Sequence, residues 1–130
     1  TGISPFLPYL QLKAVSIYSS DSSTLNRVLL YYGVRENNLL AALDTIKAWS
    51  SMPSSRARIF IEDEDPIHEN TCNLSFEKGR LDIGQIFEDS RILTNPVFFL
   101  SGPPAMIFSF KDKLLSYRVS PDNIAIDEWE

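Results

Sequence analysis

Apolar positions along the chain follow two different periods, and these mark out its elements. Ile3, Phe6, Leu7, Leu10 and Ala14 recur at steps of three and four residues, so the first segment is expected to be an amphipathic helix of about four turns. Pro5 suits its first turn, where a missing N–H is not needed. The cluster Ser19-Ser20-Asp21-Ser22-Ser23 then reads as a loop. The run RVLLYYGV, residues 27–34, is β-branched and aromatic with almost no polar break, as in a strand covered on both faces, and Gly33 ends it.

From Asn37 to Met52 a helical stripe runs through Leu39, Leu40, Leu43, Ile46, Lys47 and Trp49, and Pro53 stops it. ARIFIEDED, residues 57–65, is a short buried strand whose far end turns abruptly acidic. Pro66 to Lys78 shows no period and is expected to be an irregular loop, holding His68 and Cys72. Asp82 is placed to N-cap a short helix carrying Ile83, Ile86 and Phe87. PVFFLSGPP is a second strong strand, followed by a helix from about Ala105 to Tyr117 with Met106, Phe110, Lys113 and Leu114 on one face. Ser120-Pro121-Asp122 turns the chain into a last strand, NIAIDEW.

Strands alternating with helices imply right-handed crossovers and an α/β fold with a parallel sheet. A length of 130 residues fits one domain. Apolar residues at 44% and charged residues at 22% exclude a disordered chain. No apolar run approaches the ~20 residues needed to span a bilayer, and no leader pattern is present, so a cytoplasmic location is expected. Twelve basic against seventeen acidic side chains leave a net charge of −5, which excludes a phosphate-tracking nucleic-acid surface. The single cysteine, Cys72, excludes an internal disulfide and a thiolate-only zinc site. His68 has only Cys72 at ligand spacing, in a loop, so no metal site is expected.

In open parallel sheets, ligands sit beyond the carboxyl ends of the strands, so the residues just after each strand carry the chemistry. Thr1-Gly2-Ile3-Ser4-Pro5 runs into an expected helix start, and is either just a tight turn or a place where free N–H groups could hold a phosphate. Gly102-Pro103-Pro104 lets backbone approach a ligand closely, or simply makes a stiff corner. Gly79-Arg80-Leu81-Asp82 puts a cation beside a helix start. Glu62-Asp63-Glu64-Asp65 is either a solvated charged loop or a set of acceptors for ribose hydroxyls.

Taken together and in order, these segments resemble the nicotinamide-nucleotide-binding half of the ferredoxin–NADP reductase superfamily of flavoenzymes. The family's Gly-Thr-Gly-Ile-x-Pro-Phe turn is matched by Thr1-Gly2-Ile3-Ser4-Pro5-Phe6. Its Tyr-Gly-x-Arg strand end is matched by Tyr32-Gly33-Val34-Arg35, and its Gly-Arg-Val-Thr/Asp element by Gly79-Arg80-Leu81-Asp82. Its Cys-Gly-Pro-Pro-x-Met signature appears as Ser101-Gly102-Pro103-Pro104-Ala105-Met106, and its closing acidic–aromatic pair as Glu128-Trp129.

The resemblance implies a three-layer Rossmann-like parallel sheet, with residues 1–130 forming the NAD(P)-binding domain of a larger flavoprotein reductase. NADH or NADPH would dock here and pass hydride to FAD or FMN held by a separate β-barrel domain or subunit, which then serves an electron acceptor. Thr1, Gly2, Ser4 and Pro5 would approach the pyrophosphate or nicotinamide. Gly102, Pro103, Pro104 and Met106 would shape the nicotinamide slot, and Arg35, Glu62, Asp63, Gly79 and Arg80 would lie towards the adenosine end. Ser101 and Trp129 would sit near the reacting ring.

Three departures from the family accompany the matches. Ser101 replaces the family's cysteine, which puts hydride positioning in question. The flavin-binding barrel is absent, so the chain alone should not turn over. The apolar strand that precedes the Thr-Gly-Ile turn in the family, central in its sheet, is missing as well. Four strand candidates then imply a middle strand supplied from outside the chain, or a sheet that closes up around four. Acids after the ARIFIED strand favour NADH over NADPH by repelling a 2′-phosphate. The rival expectation is a non-catalytic nucleotide-sensing or interaction module that kept the fold.

Overall fold

The computed structural model describes residues 13–19, 28–37, 43–50, 55–71 and 73–128. They form six strands, β1 (Lys13–Ser19), β2 (Val28–Val34), β3 (Ser55–Ile61), β4 (Leu74–Lys78), β5 (Pro96–Gly102) and β6 (Ile124–Glu128). Three helices accompany them, α1 (Leu43–Ser50), α2 (Ile83–Ser90) and α3 (Pro104–Ser116), with a 3₁₀ turn at Pro121–Asn123. The strands make one sheet in the order β4-β3-β2-β1-β5-β6. The pairs β2–β3, β3–β4 and β5–β6 are parallel, and β1 is antiparallel to both of its neighbours.

The alternation of side chains along each strand builds two cores. Ala14, Leu30, Tyr32, Ala57, Ile59 and Ile61 face one side, where Ile46 of α1 is fully buried among them. Val15, Ile17, Tyr31, Phe98 and Leu100 face the other, under Ile83 and Ile86 of α2 and Ile107, Phe110 and Leu114 of α3. Each fully buried large aliphatic contributes about 2 kcal/mol relative to exposure.

The α/β class and the strands over residues 28–34, 55–61, 96–102 and 124–128 follow the sequence pattern. Asp82 caps α2 as expected, its Oδ1 accepting from the Gly84 N–H at 2.9 Å. The all-parallel, four-stranded sheet with a missing middle strand is overturned, because the middle position is occupied by this chain's own β1. The expected first helix is corrected where it meets the described residues: Lys13 and Ala14 belong to that strand, while residues 1–12 lie outside the description. In KAVSIYS, Ala14 and Ser16 face one core and Val15 and Ile17 the other, a period of two at the end of a segment whose earlier apolar residues recur at three and four. Only residues 20–27 separate β1 from β2, fewer than the dozen or so that a parallel crossover needs, so the two strands run antiparallel.

The second correction concerns residues 66–78, expected as loop throughout. The last five form β4, an edge strand too short for its alternation of Leu74 and Phe76 to register as a pattern. Its free side is partly blocked by its own loop: the Phe76 N–H donates to Asn70 Oδ1 at 2.7 Å and the Thr71 N–H to the Leu74 carbonyl at 2.8 Å. Cys72 lies outside the description.

Helix α3 ends with Arg118 in the left-handed region, φ 69°. The Val119 N–H donates to the Leu114 carbonyl and the Arg118 N–H to the Leu115 carbonyl, each at 3.0 Å, the paired bonds that normally select glycine at this place. Arg118→Gly is therefore expected to stabilise the fold by about 1 kcal/mol. A thermal melt checks this: the midpoint should rise by about 4 °C, and an unchanged or lower midpoint contradicts the reading.

Candidate functional site

Five strands share one direction, so the carboxyl ends of β2 to β6 lie along a single edge together with Lys13, the first residue of the reversed β1. From β2 the chain moves outward through α1 to β3, and from β5 it moves outward the other way through α3 to β6. The point between β2 and β5 is a topological switch, the place where open α/β sheets form their ligand crevice. Lys13 stands at it.

Glycines flank Lys13 on both sides. Gly33 is its partner on β2, and a Cβ there would lie 3.1 Å from Leu81 Cγ. On the other side Gly102, at φ 157°, lies so close that an added Cβ would be 2.7 Å from Met106 Cε and 3.7 Å from Lys13 Cα. Pro103 and Pro104 then lead into α3, whose N-cap residue Pro103 makes no side-chain cap. Among the described residues its first amide groups therefore have no capping side chain beside the switch point.

Charge on this edge is arranged in pairs. Glu62, 14% exposed, faces Lys13 Nζ at 3.8 Å and Arg80 Nε at 3.7 Å. Arg35 Nε donates to Asp63 Oδ2 at 3.2 Å, and Lys78 Nζ lies 3.4 Å from Asp65 Oδ1. Glu64 Oε1 accepts from the Asn37 N–H at 2.6 Å and from Asn37 Nδ2 at 2.9 Å. Each acid of the 62–65 run thus has a partner, and the run ties the ends of β2, β3 and β4 together.

Of the residues expected to form a site, Arg35, Glu62, Asp63, Gly79, Arg80, Ser101, Gly102, Pro103, Pro104 and Met106 all fall along this edge. Gly79 adopts φ 131° with open space around its Cα, so its requirement is conformational. Ser101 is fully buried, on the face of its cross-strand partner Ala14, and its Oγ donates to Asp127 Oδ2 at 3.4 Å. Thr1, Gly2, Ser4, Pro5 and Trp129 lie outside the described residues. Lys13 is not among the expected site residues, because the helical spacing of residues 3–14 masks the strand it begins; the alternation in KAVSIYS is the signal for it.

A second polar cluster crosses the α2 face. Arg58 donates through Nε and Nη2 to the two Glu77 oxygens at 2.6 and 2.8 Å and through Nη1 to Asp89 Oδ2 at 2.7 Å. The Tyr31 hydroxyl donates to the same Asp89 oxygen at 2.8 Å, and the Arg58 guanidinium also lies over the Phe60 ring. Hydrogen bonding to Glu77 holds the Arg58 guanidinium charged. The bond from Arg58 keeps the Glu77 carboxyl below its usual range, and burial, then the bond to Asp89, push the Tyr31 phenol upward. The cluster joins β2, β3, β4 and α2. Beside it is a cavity of about 450 Å³, and a second of about 470 Å³ lies at the start of β5, both towards the amino ends of the strands.

Among the described residues no group of His, Cys, Asp and Glu is placed to hold a metal, and no helix is long and apolar enough to cross a membrane. Comparison with family models, with curated proteins and with solved structures finds no match.

The Arg58 cluster sets a pH window for folding. Glu77, with its pKa depressed on folding, stabilises above the ordinary glutamate value of about 4.3 and loses this as pH falls. Tyr31, with its pKa raised, stabilises below about pH 10 and loses this as pH rises. Denaturation midpoints measured against pH should form a plateau between these limits. Arg58→Ala should cost about 2 kcal/mol at pH 7, reduced from the fully buried case by partial exposure. A loss under about 0.5 kcal/mol, within the range of ordinary surface substitutions, contradicts the assignment.

Proposed function

We propose that the chain binds NADH at the carboxyl edge and presents it for hydride transfer to a flavin held by a separate domain, as the resemblance to the ferredoxin–NADP reductase superfamily implies. The observation that carries this reading is the convergence at the switch point of Lys13, the Gly33 and Gly102 approaches and the uncapped start of α3. Lys13 and the first amides of α3 suit a pyrophosphate. The acids that follow β3, Glu62 and Asp63, suit ribose hydroxyls. Ser101, Gly102 and Pro103 border the place where the nicotinamide ring would lie. When bound, the nicotinamide supplies the hydride, and this chain supplies orientation and exclusion of water.

NADH is favoured because an acid stands beside each cation that would meet a 2′-phosphate. Arg35, Lys78 and Arg80 face Asp63, Asp65 and Glu62 respectively, so a phosphate of about two negative charges would be brought up against a carboxylate at each of them. The sheet departs from the family's form at its centre, where an antiparallel strand puts a lysine at the switch point. A flavin-bearing domain, an electron acceptor and a cytoplasmic setting complete this reading.

A second reading, a non-catalytic nucleotide-sensing or interaction module, draws on Ser101. Its hydroxyl is buried and turned to Asp127, and such a group orients nicotinamide only if the pair opens.

Titration with NADH and with NADPH tests the proposal. NADH should bind more tightly, and Lys13→Ala should weaken it about tenfold, the loss of one charge-assisted contact. No binding of either nucleotide, tighter binding of NADPH, or an unaffected Lys13→Ala variant overturns it. Reduction of a supplied flavin domain by bound NADH separates the enzyme from the sensor.

A further inference from the structure

We propose that the cavity at the start of β5, at the opposite end of the sheet from the carboxyl edge, binds a small anion with a flat apolar body, of the class of aromatic carboxylates and sulfonates. Its volume of about 470 Å³ falls in the range of small-molecule sites. Pro96 and Val119, both partly exposed, contribute its apolar surface, with Leu93 and Phe98 behind them. Phe87 and Tyr117 contribute a flat wall, stacked with centroids 4.7 Å apart and rings inclined by 29°. Such a surface favours a ring system over a branched chain.

The charge on the rim selects the ligand's sign. The charged residues lining the cavity are Arg91 and Arg118, with no acid among them, in a chain whose net charge is −5. Arg91 shares one exposed contact, 3.4 Å to Glu88 within the same stretch of chain, worth little in water. Helix ends α2 and α3 both point here, and their carbonyls would oppose an anion. Each helix end carries about half an elementary negative charge, and the two arginines that line the cavity, with one full positive charge each, outweigh them.

Arg118 also occupies a backbone position that glycine fills at lower cost. The helix end does not require an arginine there, and Arg118 is one of the residues that line the cavity.

Anilinonaphthalene sulfonate is the probe, with uncharged phenylnaphthylamine as its comparison and fluorescence of the whole chain as the readout. The sulfonate should show one saturable site. Arg118→Gly removes the guanidinium while easing the backbone, so the variant remains folded; it should bind the sulfonate about tenfold more weakly and the uncharged probe equally well. Arg118→Lys should restore most of the affinity. Amide shifts on adding the sulfonate should centre on Phe98, Tyr117 and Val119. Equal sulfonate affinity in wild type and Arg118→Gly, or shifts centred on Lys13, Gly33 and Gly102, overturns the proposal.

Discussion

The fold depends on the two rows of backbone hydrogen bonds made by β1. Strands β2 and β5 lie at the centre of the sheet, and without a strand between them their facing N–H and C=O groups would be buried and unpaired, at about 1–3 kcal/mol each. β1 satisfies both rows at once, pairing from Lys13 to Tyr18 with β2 and from Ala14 to Ser19 with β5. Its sequence suits a position covered on both faces, because Ala14, Val15, Ser16 and Ile17 are all buried. One cost remains: the Ser16 hydroxyl is buried with no partner among the described residues.

The direction of β1 has a chemical consequence. A parallel central strand would bring its own carboxyl end to the edge where β2 to β6 end. The reversed strand brings its amino end there, and with it Lys13 between two glycines. The paired charges of residues 62–65 then surround this lysine with a nearly balanced field instead of an acidic one. The charge balance at this edge therefore depends on the pairing of its acids with Lys13, Arg35, Lys78 and Arg80 as well as on the acid content read from the sequence.

The elements with long or continuous apolar patterns were legible in the sequence. RVLLYYGV and PVFFLSG became β2 and β5, and Asp82 caps α2 because an aspartate before Ile83 and Ile86 has few other roles. β1 and β4 were not legible, for separate reasons. The period-two stretch of β1 follows apolar residues at helical spacing, and β4 is only five residues long, an edge strand with a loop asparagine on its free side. Ten of the expected site residues lie on one edge because β2 to β6 run in the same direction, which brings their carboxyl ends to one side. The pairing of Glu62 with Lys13 was out of reach, since it depends on a strand that periodicity had hidden.

The most direct test of this account is a nuclear Overhauser measurement of Hα–Hα contacts across the middle of the sheet. Antiparallel pairing brings opposed Hα atoms together at alternate positions. The account predicts such contacts from β1 to both neighbours, in the register that sets Ser16 opposite Leu30 and Phe99. Direct contacts between β2 and β5, or a β1 segment with contacts to neither, would contradict it.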